Sequence, residues 1–276
     1  MLMSRPLYCV LAFALAACGG GGSTVPAGAV VDVPGFETYR TGHNNRNRVI
    51  RSNTDPANVA DAAVLTAFDT TGAGPAGYKD LIAVNDANMT VEVIAEVATG
   101  PGGEKATRLL RLTVDQIPLQ NVKDGQLVAA TGTYFFRGQS FAWVTIDGGP
   151  VLSGRHSQGL ESMVVDFGAG TVALEVRTEV AAGSDVEIGF KAENLPFNVV
   201  TGAYGGAVTI AVRNPDVTSS YAVNGMLRGN VGGTPVFAGG THGMTTSGLF
   251  TAKGTTVDGE VTVDGVILGA DPNATP

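Results

Sequence analysis

Val172-Ala173-Leu174-Glu175-Val176-Arg177-Thr178-Glu179-Val180 places Val172, Leu174, Val176 and Val180 on one side of an extended chain. Ala173, Glu175, Arg177 and Glu179 fall on the other. Successive side chains of a strand point to opposite faces, so the pattern describes a strand buried on one face and wet on the other, as in antiparallel sheet. The same period recurs outward from this stretch. Met89, Val91, Val93, Ala95 and Val97 oppose Thr90, Glu92 and Glu96, and Leu110, Leu112 and Val114 alternate with Arg111 and Thr113. Turn signals lie between and beyond these stretches: Asp124-Gly125, Asp147-Gly148-Gly149, Gly168 to Gly170, Gly205-Gly206, Asn224-Gly225, Gly232-Gly233, Asp258-Gly259 and Asp264-Gly265. Asx-Gly pairs supply the positive φ angles of two-residue hairpins. Even spacing favours an up-and-down meander, and closing it into a barrel removes the exposed edges.

The fold expected is mainly β: an antiparallel up-and-down barrel of about eight strands, with an N-terminal β-rich region and one short helix. The helix follows Asp55 as cap and Pro56 in the first turn, carries Val59, Val64, Leu65 and Phe68, and stops before the glycine-broken segment Gly72 to Gly77. The expected organisation is a signal at 1–17, a lipidated cysteine and linker at 18–30, the N-terminal β-rich region at 31–125, the barrel at 126–254, and a hairpin or tail at 255–276.

The amino terminus tells where the protein works. Arg5 precedes an apolar run from Leu7 to Ala16, and Leu15-Ala16-Ala17-Cys18 is followed by four glycines. A charged start, a short apolar core and small residues before the cut make an export signal. The ten-residue run is too short to span a membrane, which takes about 20. With Cys18 after Leu-Ala-Ala, the stretch resembles the lipobox of bacterial lipoproteins, which implies cleavage before Cys18 and acylation of its sulfur and amino group. Gly19, in place of an aspartate that hints at retention in the inner membrane, leans towards the outer membrane. Cys9 leaves with the signal and Cys18 is consumed by lipid, so no disulfide, thiolate metal site or cysteine nucleophile is expected in the folded part.

Losing residues 1–17 leaves 16 cations against 25 anions, a formal charge of −9. That balance argues against nucleic acid and anionic lipid as partners. Charged residues are 15% of the chain and glycines number 39, which favours tight turns over helices. A membrane-spanning barrel would need an apolar outer band and aromatic girdles. Glu175, Arg177 and Glu179 on the wet face, and 7% aromatics, argue for a barrel in water instead.

Catalysis has little to rest on. The histidines are His43, His156 and His242, with no His-Glu-x-x-His helix, no Gly-x-Ser-x-Gly elbow and no spaced aspartates for calcium. His156, Ser157 and Asp166 do not make a triad, because neighbours on a strand point apart. Gly72-Ala73-Gly74-Pro75-Ala76-Gly77 matches a dinucleotide-binding spacing but follows a helix and contains proline, so it reads as a loop. No metal and no cofactor are expected, and the chain reads as a monomer and not as an enzyme.

Two stretches are candidates for binding. Residues 36–53 hold Arg40, His43, Arg46, Arg48 and Arg51 among four asparagines: an anion contact, or a solvated loop. Residues 134–143 hold Tyr134, Phe135, Phe136, Phe141 and Trp143. Period-two counting puts Phe135, Phe141 and Trp143 on one face and Tyr134 and Phe136 on the other. One face is core; the second is a contact surface, or is itself covered. Tyr134, Phe136, Arg40, His43 and Arg46 are the binding residues expected, beside Cys18 for lipid.

From about Thr131 the chain resembles the β-barrel domain of transferrin-binding-protein-B-like surface lipoproteins. The likeness is carried in order by Gly132-Thr133-Tyr134-Phe135-Phe136-Arg137-Gly138, Met163-Val164-Val165-Asp166-Phe167-Gly168, and Thr201-Gly202-Ala203-Tyr204-Gly205-Gly206. Gly225-Met226-Leu227-Arg228-Gly229-Asn230-Val231 and Gly248-Leu249-Phe250-Thr251-Ala252 complete it. It covers about 120 residues, and Phe237 to Gly243 lacks the family's Pro and Glu. The resemblance implies a surface-displayed barrel that captures an iron source or a host or environmental protein. On it, His43 or His242 offers an imidazole to haem iron, against the plainer reading of polar loop histidines. The other class of function the sequence allows is a structural envelope lipoprotein that packs against other outer-membrane components.

Overall fold

The alternation at 172–180 becomes strand β11 (Thr171–Arg177), with Val172, Leu174 and Val176 pointing into a closed barrel. In this computed structural model the described residues are 30–42, 45–101, 103–179, 184–214, 220–235 and 243–271. Cys18, His43, His242 and the segments 1–17 and 18–29 lie outside them, and so do the readings placed there.

The barrel runs through β9 (Thr133–Ile146), β10 (Leu152–Asp166), β11, β12 (Glu187–Pro196), β13 (Ala203–Arg213), β14 (Ser220–Gly232), β15 (Thr245–Thr256) and β16 (Gly259–Ala270). Each strand pairs antiparallel with the next, and β16 closes on β9 from Val261↔Ile146 to Ala270↔Arg137. The interior is filled: Phe136, Leu160, Ile188, Tyr204, Leu227, Phe250 and Ile267 belong to one buried cluster, and the Phe190 and Phe250 rings meet edge to face at 5.2 Å. The lumen is a packed core. Outside, ion pairs run along the wall, Glu161 to Arg177 at 2.8 Å, Glu175 to Lys191 at 2.9 Å and Glu187 to Arg213 at 3.2 Å. Charges at the middle of a lipid-facing wall cost about 2–4 kcal/mol each for Arg or Lys. This wall faces water.

β16 lies in 255–276, the stretch expected as a hairpin or tail outside the barrel, and it is the closing strand instead. The misreading came from Asp264-Gly265, counted as a hairpin turn; so was Asn224-Gly225. Both pairs lie mid-strand. Gly265 is there for room: a Cβ would overlap the Phe250 ring. At Gly229 the obstacle is the Tyr204 ring. Asp147-Gly148 and Asp124-Gly125 do turn, each residue at positive φ.

The N-terminal region forms a second sheet in the order β1 (Glu37–Arg40), β2 (Asn47–Ser52), β6 (Gly103–Gln116), β5 (Met89–Gly100) and β3 (Tyr78–Asp80), with β4 (Val84–Asn85) also on β5. One face carries helix α1 (Val59–Thr71), whose Val64 and Phe68 pack on Ile94 and Leu110. The cap is Asn58, whose Oδ1 accepts from the amides of Ala60 and Asp61 at 3.1 and 3.2 Å. Asp55, expected there, accepts from the Ala57 amide in the preceding turn. Gly72 ends the helix at φ 70°.

The other face lies on the barrel wall. Val49, Met89, Val91, Val93, Leu109, Leu112 and Val114 share a buried cluster with Trp143, Val151, Leu249, Val266 and Leu268. Sheet and barrel are thus joined by a common core. Leu110 breaks the expected alternation: Ile94 pairs Arg111 and Ala95 pairs Leu109, so Leu110 is the extra residue of a bulge and turns to the helix. The connection from sheet to barrel is stitched down as well. A short hairpin, β7 (Val122–Lys123) with β8 (Gln126–Leu127), is held by buried Asn121, whose side chain binds Ala129 on both backbone groups and the Val199 carbonyl. The 125/126 boundary expected between units falls inside that hairpin.

Candidate functional site

The seam between sheet and barrel is open to solvent along its flank as three clefts that share walls. The first, about 610 Å³, lies over β12 to β15 and is lined by Arg51, Lys191, Glu193, Thr209, Asn224, Met226 and Lys253 above a floor of small residues such as Ala207, Gly225 and Ala252. The second, about 550 Å³, shares Arg51, Thr251, Ala252 and Lys253 with the first and runs past Asn53, Arg108, Thr262 and Asp264 to Trp143 and Val151. The third, about 620 Å³, shares Trp143 and Val151 with the second and adds Leu81, Ile82, Ala106 and Phe141, rimmed by Glu104, Lys105, Ser153, Arg155 and Asp185. Together they form one groove, basic at one end and apolar at the other. Each segment has the volume range of a ligand pocket.

Local sequence explains the positions. β5 and β6 outrun their neighbours, since β2 pairs with β6 only from Arg111 to Gln116. The far half of this hairpin reaches over β9 and β10 and roofs the third cleft. Lys105 meets Asp185 at 3.3 Å across it, an exposed pair worth about 0–1 kcal/mol. Trp143 and Phe141 reach the groove because they stand on the outer parity of β9.

Asp264 is the buried charge of the seam. Its carboxylate accepts from Asn53 Nδ2 at 2.7 Å and lies 3.4 Å from Arg51 Nε. Burial pushes its pKa up, and Arg51, Thr251 and Asn53 oppose that only in part. A carboxyl raised on folding favours the folded state most below the unfolded pKa, and that contribution is lost as pH rises through the folded pKa. Asp264→Asn is therefore expected to flatten the fall in stability between acidic and neutral pH. Urea melts of both proteins at several pH values measure it; an unchanged slope would show that Asp264 is ionised without strain.

A second polar seam lies under the sheet. Buried Arg228 donates to the Gly229 carbonyl, to Tyr204 O at 3.4 Å and to Asn230 Oδ1 at 3.3 Å, and burial pushes its pKa down to about 10. Gln116 Nε2 donates to Thr245 Oγ1 at 2.7 Å.

The residues expected to bind are scattered. Arg40 lies on exposed β1 and donates to Asn45 Oδ1 at 2.9 Å. Arg46 fastens two turns together, donating to Thr90 Oγ1 at 2.8 Å and to the Asp86 and Ala87 carbonyls at 3.0 Å. Arg48 forks onto Asp115 at 2.6 Å. The arginine-rich stretch is thus the β1–β2 hairpin, and Arg51 is the member that reaches the groove. Phe136, expected as a contact, is wholly inside the barrel. Tyr134 is half-buried at the barrel end, 5.0 Å from Phe167 edge to face. The lumen covers Phe136, and the sheet covers Trp143 and part of Phe141. His156 Nε2 lies 3.2 Å from Glu179 Oε1. Among the described residues no three His, Cys, Asp or Glu side chains stand together as a metal site, and no helix is long and apolar enough to cross a membrane.

Lys191, Lys253 and the Asp264 carboxylate had no sequence signal as groove residues, and Arg51 had only its place in the arginine-rich stretch. They come from β2, β12 and the β15–β16 hairpin, three places far apart in the chain, and only the register of the barrel and the docking of β2 bring them together.

No protein-family model matches the chain, and no curated protein matches it. Solved structures similar to it include a mutant of the vaccine antigen transferrin binding protein B from Haemophilus parasuis Hp5, at 10% identity over 86% of this chain and 37% of that one, TM-score 0.39. The isotype 1 transferrin binding protein B of serogroup B Neisseria meningitidis is similar at 10% identity over 72% and 36%, TM-score 0.36. HpuA from Kingella denitrificans, solved with human haemoglobin, is similar at 12% identity over 75% and 62%, TM-score 0.36. The chain spans little more than a third of the transferrin binding proteins and less than two thirds of HpuA. At these identities and scores no residue, ligand or partner carries over.

Proposed function

We propose that this chain is a lipid-anchored envelope protein that acts as a binding module and not as an enzyme, holding a protein ligand in the groove along its seam. The observation that carries the reading is the groove: three clefts with shared walls, the only tryptophan of the chain where two of them meet, beside a barrel whose lumen is filled. A filled lumen leaves ligands to the outside surface. Capture of an iron source or of a host or environmental protein is the use that the family resemblance suggests for such a module. The Leu-Ala-Ala-Cys stretch supports an anchor at Cys18 in the outer membrane.

Protease treatment of intact cells, compared with lysed cells, tests the reading. Digestion on intact cells, together with loss of radiolabelled palmitate in Cys18→Ala, is the expected result. Protection until lysis would overturn capture of an outside protein and favour packing within the envelope.

A further inference from the structure

We infer that the groove takes one extended polypeptide segment, acidic where it passes Arg51, Lys191 and Lys253 and apolar where it meets Leu81, Ile82 and Phe141. The inference rests on the binding-module reading and says what kind of partner the module fits.

Charge gives the first argument. The chain carries a formal net charge of −8, yet the first cleft is lined by three cations and one carboxylate, Glu193. Lys191 and Lys253 hold Glu175 and Glu260 at 2.9 Å, but these are exposed pairs, readily exchanged for a ligand's carboxylates. Arg51 is held at 3.4 Å by a carboxylate that burial disfavours in its charged form. An acidic segment complements this end of the groove.

Backbone gives the second. β12 and β13 pair only at Glu187↔Arg213, Ile188↔Val212 and Gly189↔Ala211. From there to the isolated bridge Phe197↔Tyr204 no pair joins them. The facing edges at Lys191 to Glu193 and Ala207 to Thr209 line the first cleft. Main-chain groups without a ladder partner on that side suit the amides of an extended peptide. Asn194, at φ 56°, lies in the register shift of β12 against β11, between Val172↔Leu195 and Leu174↔Ala192.

The other end supplies the third. Leu81, Ile82, Ala106 and Phe141, half-buried over the Trp143 and Val151 core, make a wall for aliphatic or aromatic side chains, which a sugar polymer does not offer.

Selection of random peptides displayed on phage against the full lipidated chain in detergent tests this. Enriched sequences are expected to carry two or more Asp or Glu residues ahead of an apolar pair. Fluorescein-labelled copies of them are expected to bind Lys191→Glu/Lys253→Glu at least about tenfold more weakly, and to weaken similarly in raised salt. Both lysines are exposed, so the double variant keeps the fold; Lys123→Glu, on β7 outside the groove, serves as control. Leu81→Lys is expected to weaken binding at the apolar end. Enriched peptides that bind the groove variants unchanged would overturn the groove as the site and leave a binding module that uses another surface. Failure to enrich any peptide, or displacement of the peptides from neither end while heparin binds the groove, would overturn the polypeptide. Surface protease accessibility is unaffected by these outcomes and tests the module by itself.

Discussion

Deleting Gly259–Pro276 is expected to abolish cooperative folding of the whole chain, barrel and N-terminal sheet together. β16 is hydrogen-bonded on both sides, over twelve residue pairs with β15 and ten with β9, so its loss opens the barrel and leaves two long unpaired edges. It also removes side chains from two cores at once. Val261, Val263 and Ile267 fill the lumen, and Val266 and Leu268 lie in the seam. At about 1.5–3 kcal/mol for each such side chain, these five match a total stability of about 5–15 kcal/mol. Thermal melts by circular dichroism are the measurement. A truncated chain that still melted sharply would show that the first seven barrel strands hold themselves.

Trp143→Ala is expected to cost about 3–5 kcal/mol, the range for removing a large aromatic from a core. Trp143 is 6% exposed on the outer wall of β9, and its indole lies in the cluster that joins wall and sheet. The loss should shift denaturation of both parts of the molecule in step, because the cluster is common to them. Phe135, on the same strand and of the same parity, is 54% exposed, and Phe135→Ala should change stability by no more than about 0.5 kcal/mol. Denaturant melts followed by far-ultraviolet circular dichroism separate the two. Equal effects of the two substitutions would mean that the sheet does not hold the wall as described.

The contrast between those two residues shows how much of the fold was legible. Period-two counting correctly put Phe135, Phe141 and Trp143 on one face of a strand, and Val172, Leu174 and Val176 on the buried face of another. It had no means of telling that the sheet covers one end of the outer face and leaves the other in water. The same limit hid Leu110, whose bulge turns it to the helix although its spacing matches Leu112 and Val114. Glycine misled in a different way. Asp264-Gly265 and Asp258-Gly259 are alike as dipeptides, but the first makes room for Phe250 and the second turns the chain, and the difference depends on a ring from another strand.

The candidate groove was least legible. Of the arginines between 40 and 51, the two singled out serve a turn contact and a staple between turns. Arg51, which reaches the groove, was marked by nothing but its membership of the stretch.

What the amino-acid sequence alone determined is the class of structure: strands by their period, one helix, and turns where Asx-Gly pairs have nothing to pack against. These depend on neighbours in the chain, because side-chain alternation and positive φ are local properties of the backbone. Which strand closes the barrel, which outer face is covered and which charges meet in the groove were decided by tertiary structure. Each of those depends on pairing register and docking between segments separated by tens to hundreds of residues, and no local pattern records them.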